Sequence, residues 1–288
     1  MLDYLSLNST TYYNWRKRSA VDRLEDEKPI GRNPDRLLDW ERETIIDYYL
    51  LHQQEGYRRL TYRMIDEDVV YVSPSTVYRC LKAVGLLMRW SEYQPLGNRP
   101  AYPDAPNQKW HTDLMIIEIN DCLYYYQGII DAYSRYIITW DIHAEGAALN
   151  TSMVLQSAYD SSPEDINPVI IADNGPEFIG KEFREIIKQK KGKDVRITAY
   201  HPQSNGIEER FHRTLREEAL TRYNNIIDAK IKMGEWIDYY NNKRLHSAID
   251  YMPPAVWHYR KQKVLKTERK EKLLQAKKER RNINLNLN

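Results

Sequence analysis

Three acidic residues stand out by position among the 41 Asp and Glu of this 288-residue chain. Asp113 lies inside a β-rich run, WHTDLM. Asp173 directly follows the apolar run PVIIA and precedes Asn174-Gly175, a turn dipeptide. Glu209 falls on a helical segment that begins near Gln203. Acids on a strand, at a strand end and on a helix can converge on one cleft, and ligand-binding groups often stand at strand ends in alternating α/β sheets. Carboxylates ~4 Å apart repel and raise one another's pKa. Hard divalent cations remove that cost, because Mg2+ takes oxygen ligands from a few carboxylates, water and phosphate. Two such ions ~3.5–4 Å apart suit an in-line displacement at phosphorus, serving the attacking and the leaving oxygen. Taken singly, each acid is equally well an ordinary solvated carboxylate. An unpaired acid within a buried strand, as at Asp113, would however be costly.

The helical segment offers a separate argument. At roughly 100° per residue, Ile207, Phe211, Leu215 and Ala219 form one apolar stripe. Glu208 falls at the edge of that stripe, near Leu215. Glu209 falls on the opposite side, beside Arg213 and Arg216. A carboxylate with two arginines on one polar face suits a site for metal and phosphate together. An ordinary i,i+4 Glu–Arg surface pair has the same pattern.

The elements that must hold these acids can be read around them. Trp110–Ile119, Cys122–Asp131 and Arg135–Ile142 are β-rich runs separated by turn residues at Asn120-Asp121 and near Ser134, which predicts a three-strand meander. A helix over Ala147–Tyr159, a buried strand Pro168–Ala172, a helix Phe178–Lys191 and a strand Val195–Thr198 follow. Helices over Gln203–Tyr223 and Ile226–Asn241 complete the order βββ-α-β-α-β-α-α. Upstream, Tyr93–Gln108 holds four prolines in sixteen residues and reads as a linker. Before it lie two helix–turn–helix candidates. In the second, helices are expected over 36–53, over Tyr57–Glu67 and from Pro74 to Val84, with Ser73 as N-cap, Pro74 at the first helical position and Gly85 as the stop. In the first, Ser9–Arg18 is the main helix. The expected domains are 1–26, 35–90, a linker 91–106, a core 107–223, a helical element 224–260 and a basic, partly disordered tail 261–288.

Composition narrows the class. No apolar run approaches the roughly 20 residues that span a bilayer, no secretory signal is visible, and two cysteines build no disulfide framework. A cytoplasmic protein is expected. Net charge is only +2, yet residues 260–288 carry 11 Lys/Arg against 3 Asp/Glu. Such a tail favours a polyanion by counterion release, although a solvated charged helix has the same composition.

From Trp110 to about Trp257 the chain resembles the integrase core shared by retroviral integrases and bacterial insertion-sequence transposases. The matching pieces are WHTD, DAYSRY at 131–136, ADNGPEF, YHPQSNGIEERFHRTLREE and YNNKRLHSAIDYMPP at 240–254. Between Asp173 and Glu209 lie 35 residues, the spacing typical of that superfamily's last two acids. The motif's catalytic Glu stands three residues after Gly and directly before Arg-Phe, which is Glu209. EGYRRL at 55–60 and VSPSTVYRCLKAVGL are similar to the helix–turn–helix modules of OrfB-type transposases.

The resemblance implies an α/β RNase H-like core, a mixed five-stranded sheet with flanking helices, preceded by all-α DNA-binding modules. It implies a DDE transposase in which Asp113, Asp173 and Glu209 hold two Mg2+ ions, with Mn2+ able to substitute. Water then cleaves a strand at the element's end, and the freed 3′-hydroxyl attacks target DNA. The implied partners are the terminal inverted repeats and target DNA, further copies of the chain on that DNA, and an upstream-frame DNA-binding protein. The competing readings are a cellular nuclease on the same fold and a non-catalytic DNA-binding derivative.

Candidate DNA contacts are Ser75, Thr76, Tyr78, Arg79 and Lys82 on the Pro74 helix, and Asn174, Tyr200, Asn205, Arg213 and Arg216 near the acids. Thr10, Thr11, Asn14 and Lys17 are the equivalents on the first module. A helical packing module without DNA contact is the plainer alternative. His111, His201 and His212 flank the acidic motifs, and none is assigned to metal.

Overall fold

The computed structural model describes residues 9–19, 33–87, 103–173, 175–190, 192–196, 206–220 and 222–286. Their chain falls into two compact units, residues 1–43 with 274–288, and residues 44–273.

The larger unit contains the sheet. Strands β1 (Lys109–Ile119), β2 (Cys122–Asp131) and β3 (Ile137–His143) form the expected antiparallel meander. Asn120 and Asp121 make its first turn, with φ of 51° and 61°. Two successive positive φ values are what a two-residue hairpin needs to match strand twist, and Asn and Asp tolerate them best after Gly. The third strand starts two residues later than expected, because Arg135 turns with φ of 66°. After α5 (Ala148–Asp160), β4 (Val169–Ala172) returns parallel to β1, and β5 (Lys193–Arg196) pairs parallel to β4. The sheet order is β3-β2-β1-β4-β5. This is the mixed five-stranded RNase H-like sheet that the resemblance implied.

Alternation along β1 gives the sheet two different faces. Met115, Ile117 and Ile119 pack with Phe211, Leu215, Met233 and Ile237, which lie on α8 (Gly206–Glu218) and α9 (Ile226–Asn242). Trp110 and Leu114 point to the other face, with Val154 and Leu155 of α5 and with Phe178 and Phe183. Each fully buried side chain of this kind contributes ~1.5–3 kcal/mol. The single helix expected over Phe178–Lys191 is two, α6 (Pro176–Ile179) and α7 (Lys181–Gln189). Gly180 breaks them with extended backbone, and a Cβ there would meet Ala148 Cβ at 2.8 Å.

The edge strand β3 is closed by a side chain. Asn241 Nδ2 donates to the Ile137 carbonyl at 2.9 Å, and the Ile137 N–H donates to Asn241 Oδ1 at 2.9 Å. Asp131, fully buried, accepts from the backbone N–H groups of Asn107 and Ser134, both at 2.8 Å, and from the Ser134 hydroxyl at 2.5 Å. That motif acid is a turn staple. Arg244, in the element after the core, pairs with Glu218 at the end of α8 through two bonds of 2.7 and 2.5 Å.

The second helical module also lies in the larger unit, except for the start of its first helix. Its helices are α2 (Asp39–Leu51), α3 (Tyr57–Asp66) and α4 (Pro74–Ala83). Ser73 caps α4 by accepting from Thr76 N–H, and Gly85 stops it with φ of 72°.

The tail departs from expectation. Beyond α10 (Pro254–His258), residues Gln262–Asn286 form one continuous helix, α11, so the disordered end foreseen for INLNLN is absent from the described residues. Several of its charges are paired within the chain. In the larger unit, Arg269 is 5% exposed and donates to both Asp66 oxygens at 2.8 and 2.6 Å and to the Tyr251 carbonyl at 2.8 Å. Lys272 pairs with Asp68. In the smaller unit, Arg280 bonds both oxygens of buried Glu41 at 3.0 and 2.9 Å, and Asn284 donates to the carbonyls of Pro34 and Arg36. The smaller unit also holds α1 (Ser9–Ser19).

Candidate active site

The site lies wholly within the larger unit. The parallel pairing of β1 and β4 runs Lys109 to Val169, Trp110 to Ile170 and His111 to Ile171. Continued two residues past its last pair, that register would bring Asp173, the residue after β4, level with Asp113. Asp113 follows the alternation of Met115 and Ile117 and so lies on the face covered by α8, and Asp173 directly follows β4. Asp113 is half-buried, and its Oδ1 accepts from the Leu114 N–H at 2.9 Å. Asp173 Oδ1 accepts from the Gly175 N–H at 2.8 Å, a local turn that ends the strand.

Helix α8 presents the stripe expected of it. Phe211, Leu215 and Ala219 are buried with Ile207 packed against them, while Glu209, Arg213 and Arg216 are exposed. The consequence for the acids differs from expectation. The carboxyl turned toward Asp113 is that of Glu208, which is 1% exposed. Burial and the nearby Asp113 charge push its pKa well above the usual carboxylate range. Glu209 lies on the solvent side. Among the described residues, no three His, Cys, Asp or Glu side chains converge on a point that could hold a metal.

His212, one turn after Glu208, is the residue that sequence reasoning passed over. Its Nδ1 stands 3.8 Å from Asp113 Oδ2 and its Nε2 stands 3.9 Å from Glu208 Oε2. Burial, reinforced by Arg216, brings its pKa down to about 4, so the ring is neutral near pH 7 and these contacts are not ion pairs. Tyr126 is a second such residue. It lies on the same face, paired with Met115, and its hydroxyl stands 2.7 Å from where a Cβ on Gly128 would be. Gly128 is the ladder partner of Asp113. The signal available in the sequence was the i,i+4 spacing of Glu208 and His212 at the edge of the apolar stripe. His111 is also buried on this face, with its pKa brought down to about 4 by burial and then by Arg135.

On α4, Ser75, Tyr78, Arg79 and Lys82 are exposed, as expected. Lys82 Nζ lies 5.8 Å from the Tyr78 ring centre. Thr76 is a correction, being half-buried with its hydroxyl 2.9 Å from the capping Ser73 Oγ. The expected contacts Asn174, Tyr200 and Asn205 lie outside the described residues, as do the side chains of Thr10, Thr11 and Asn14. The first turn of EGYRRL is occupied with packing: Tyr57 contacts Tyr78, and Leu60 is fully buried.

Two models, each described as an integrase core domain, match residues 103–202 and 193–254, together just over half of the chain. The chain belongs to the insertion-sequence transposases of the integrase superfamily. It is therefore a polynucleotidyl transferase by family, and the family is in general dependent on divalent metal. Similar proteins include the putative transposase InsK for insertion sequence element IS150 of Escherichia coli (strain K12), 25% identical over 80% of this chain and 85% of its own length. The insertion element IS600 31 kDa protein of Shigella sonnei is 23% identical over 89% of this chain and 97% of its own. Among solved structures, the simian T-cell lymphotropic virus intasome in complex with a PP2A regulatory subunit aligns over 75% of this chain and 74% of the matched chain. That alignment has 15% identity and a TM-score of 0.45.

Proposed function

We propose that this transposase holds divalent cations on Asp113, Asp173 and Glu209, two Mg2+ with Mn2+ able to substitute. With them it cleaves a strand at the ends of its element and joins the freed 3′-hydroxyl to target DNA. The observation that carries the reading is the β1–β4 register, which argues for two carboxylates level with each other. These are hard oxygen donors, and the group they fit is a hard cation that also accepts phosphate oxygens. The chemistry such cations supply is neutralisation of charge at a phosphoryl group and activation of an oxygen nucleophile. Glu209 enters by its motif position and by the 35 residues between it and Asp173. In the geometry described above it is exposed, and the described residues do not bring it together with the two aspartates. Arg213 and Arg216, exposed on the same helix, are suited to backbone phosphates.

DNA is held in this reading by α4, whose exposed Ser75, Tyr78, Arg79 and Lys82 face a groove of the terminal repeat. Two element ends must meet one target, which calls for several copies of the chain on DNA, with an upstream-frame protein as a further DNA-binding partner. A strand-transfer assay with element-end DNA and Mg2+ tests the proposal. Asp173→Asn should reduce cleavage and joining by at least ~1000-fold while leaving DNA binding intact, the scale on which removal of catalytic electrostatics acts. Equal joining by wild type and Asp173→Asn would refute it.

A further inference from the structure

Helix α3 is fastened to the rest of the larger unit along one row of side chains. Tyr62 and Asp66, one turn apart, meet the loop after α9 and helix α11. Arg269 donates to both Asp66 oxygens at 2.8 and 2.6 Å and to the Tyr251 carbonyl at 2.8 Å. Its guanidinium lies 4.7 Å from the centre of the Tyr62 ring, and that ring stacks on Tyr251 at 5.3 Å and 17°. Lys272 Nζ, one turn on, donates to the Ile65 carbonyl at 3.2 Å. The loop is bent to meet them, with φ of 56° at Asp250 and 53° at Tyr251. Positive φ is uncommon for a bulky residue and persists where the surroundings fix it. A bidentate guanidinium fork with a ring stacked against it is directional as well as attractive. Plain burial of a helix face has no such direction.

Both sides of this contact are firmly packed. In the helical module, Leu60, Met64 and Ile65 of α3 and Val77 and Leu81 of α4 are fully buried, so α4 moves with α3. On the other side, Ile249 and Met252 bury the loop. His258 of α10 stacks on Tyr136 with ring centres 4.5 Å apart, and its Nδ1 lies 3.2 Å from Ser134 Oγ, in the turn between β2 and β3. Arg244 holds Glu218 at the end of α8. The stretch joining α4 to β1 has the composition of a linker, so tertiary contact has to set the angle between them. We propose that Tyr62, Asp66, Tyr251 and Arg269 are positioning residues that hold α4 on the catalytic unit as a rigid arm. They thereby fix the number of base pairs between the sequence met by α4 and the phosphate that is cut. The inference rests on the reading of α4 as a DNA contact and of Asp113 as part of the catalytic site. Successive base pairs lie ~3.4 Å apart along the duplex, so a displacement of α4 by that much moves the cut by one nucleotide.

Two measurements on the full chain test it. Double electron–electron resonance between spin labels on Cys122, exposed on β2, and on Val84→Cys, just after α4, reads the arm itself, with buried Cys80 replaced by Ala. The wild-type contacts should give a single narrow distance distribution. Arg269→Ala and Tyr62→Ser should broaden it, and Tyr62→Phe, which keeps the stack, should not. Cleavage of element-end DNA with Mg2+ is then mapped to the nucleotide. Wild type and Tyr62→Phe should cut at a single phosphate. Arg269→Ala and Tyr62→Ser should spread the cut to neighbouring phosphates, a shift of a nucleotide or more in part of the product. Asp66→Leu/Arg269→Met is the discriminating variant. Exchanging both partners for apolar groups restores stability but not the direction of the fork, so its Tm should approach wild type while its cut stays spread. A merely structural contact gives the reverse, a single cut wherever Tm is recovered, and that result overturns the proposal. A broad distance distribution in wild type overturns it too. Should Arg269→Ala fail to fold, the double variant and Tyr62→Ser decide. Absence of any cut by wild type overturns the reading of the catalytic site and the register drawn from it, while the distance distribution still reports whether the clasp holds α4.

Discussion

Replacing Arg269 by Ala tests what the basic tail is for. Composition suggests that its cations meet DNA, whereas Arg269 is 5% exposed and bound to Asp66 and to the Tyr251 carbonyl. Its guanidinium also lies 4.7 Å from the centre of the Tyr62 ring, and Tyr62 stacks on Tyr251 at 5.3 Å. Removing one partner of a buried ion pair costs ~3–5 kcal/mol, because the other charge stays buried alone. The Asp66 side chain is 25% exposed, so water recovers part of that and the lower end, about 3 kcal/mol, applies. In a unit of this size each kcal/mol shifts Tm by roughly 2–4 °C, which gives a fall of roughly 6–12 °C. Differential scanning calorimetry measures it. Asp66→Leu/Arg269→Met should recover most of the loss, since exchanging both partners for apolar groups is often neutral. DNA binding titrated against salt supplies the opposing outcome. A lost phosphate contact lowers the slope of log K on log salt by ~0.9. If Arg269→Ala leaves Tm within about 1 °C of wild type and lowers that slope by this amount, Arg269 is a DNA contact and the reasoning fails.

Two further outcomes follow from buried polar groups. Asn241→Leu leaves both the N–H and the carbonyl of Ile137 without a partner, at ~1–3 kcal/mol each; urea unfolding should show a loss of at least about 2 kcal/mol, and a loss under about 0.5 would mean that the edge of β3 finds other partners. His111 has its pKa brought down to about 4, below its unfolded value of ~6.5, so the folded state binds fewer protons than the unfolded one. Its share of stability is therefore complete above about pH 6.5 and is lost as pH falls toward 4, by at most about 3 kcal/mol. The urea midpoint of His111→Leu should fall less steeply than wild type across that window, and parallel curves would refute the assignment.

Much of the fold was legible in the sequence because its signals are local. The Asn120-Asp121 turn, the Ser73-Pro74 start and the Gly85 stop each depend on the conformational preferences of one or two residues, and each stands where it was expected. The apolar stripe of α8 is likewise a property of spacing alone. The break at Gly180 was not legible, because it depends on how closely α5 approaches.

By itself the sequence determined the family and the order of the elements, for these follow from motif spacing and local periodicity. It also determined that Glu208 and Glu209 lie on different sides of α8. Only the tertiary structure decided which side meets Asp113, since the packing of Phe211 and Leu215 against Met115 and Ile117 fixes the rotation of the helix on the sheet. That packing turned Glu208 and His212 inward. It likewise took tertiary structure to decide the fate of the tail. Arg269 meets Asp66, and Arg280 meets Glu41, across more than 200 residues of chain. Charge can be counted along a sequence, but the partner that neutralises it is chosen by packing, which brings together residues that no local pattern connects.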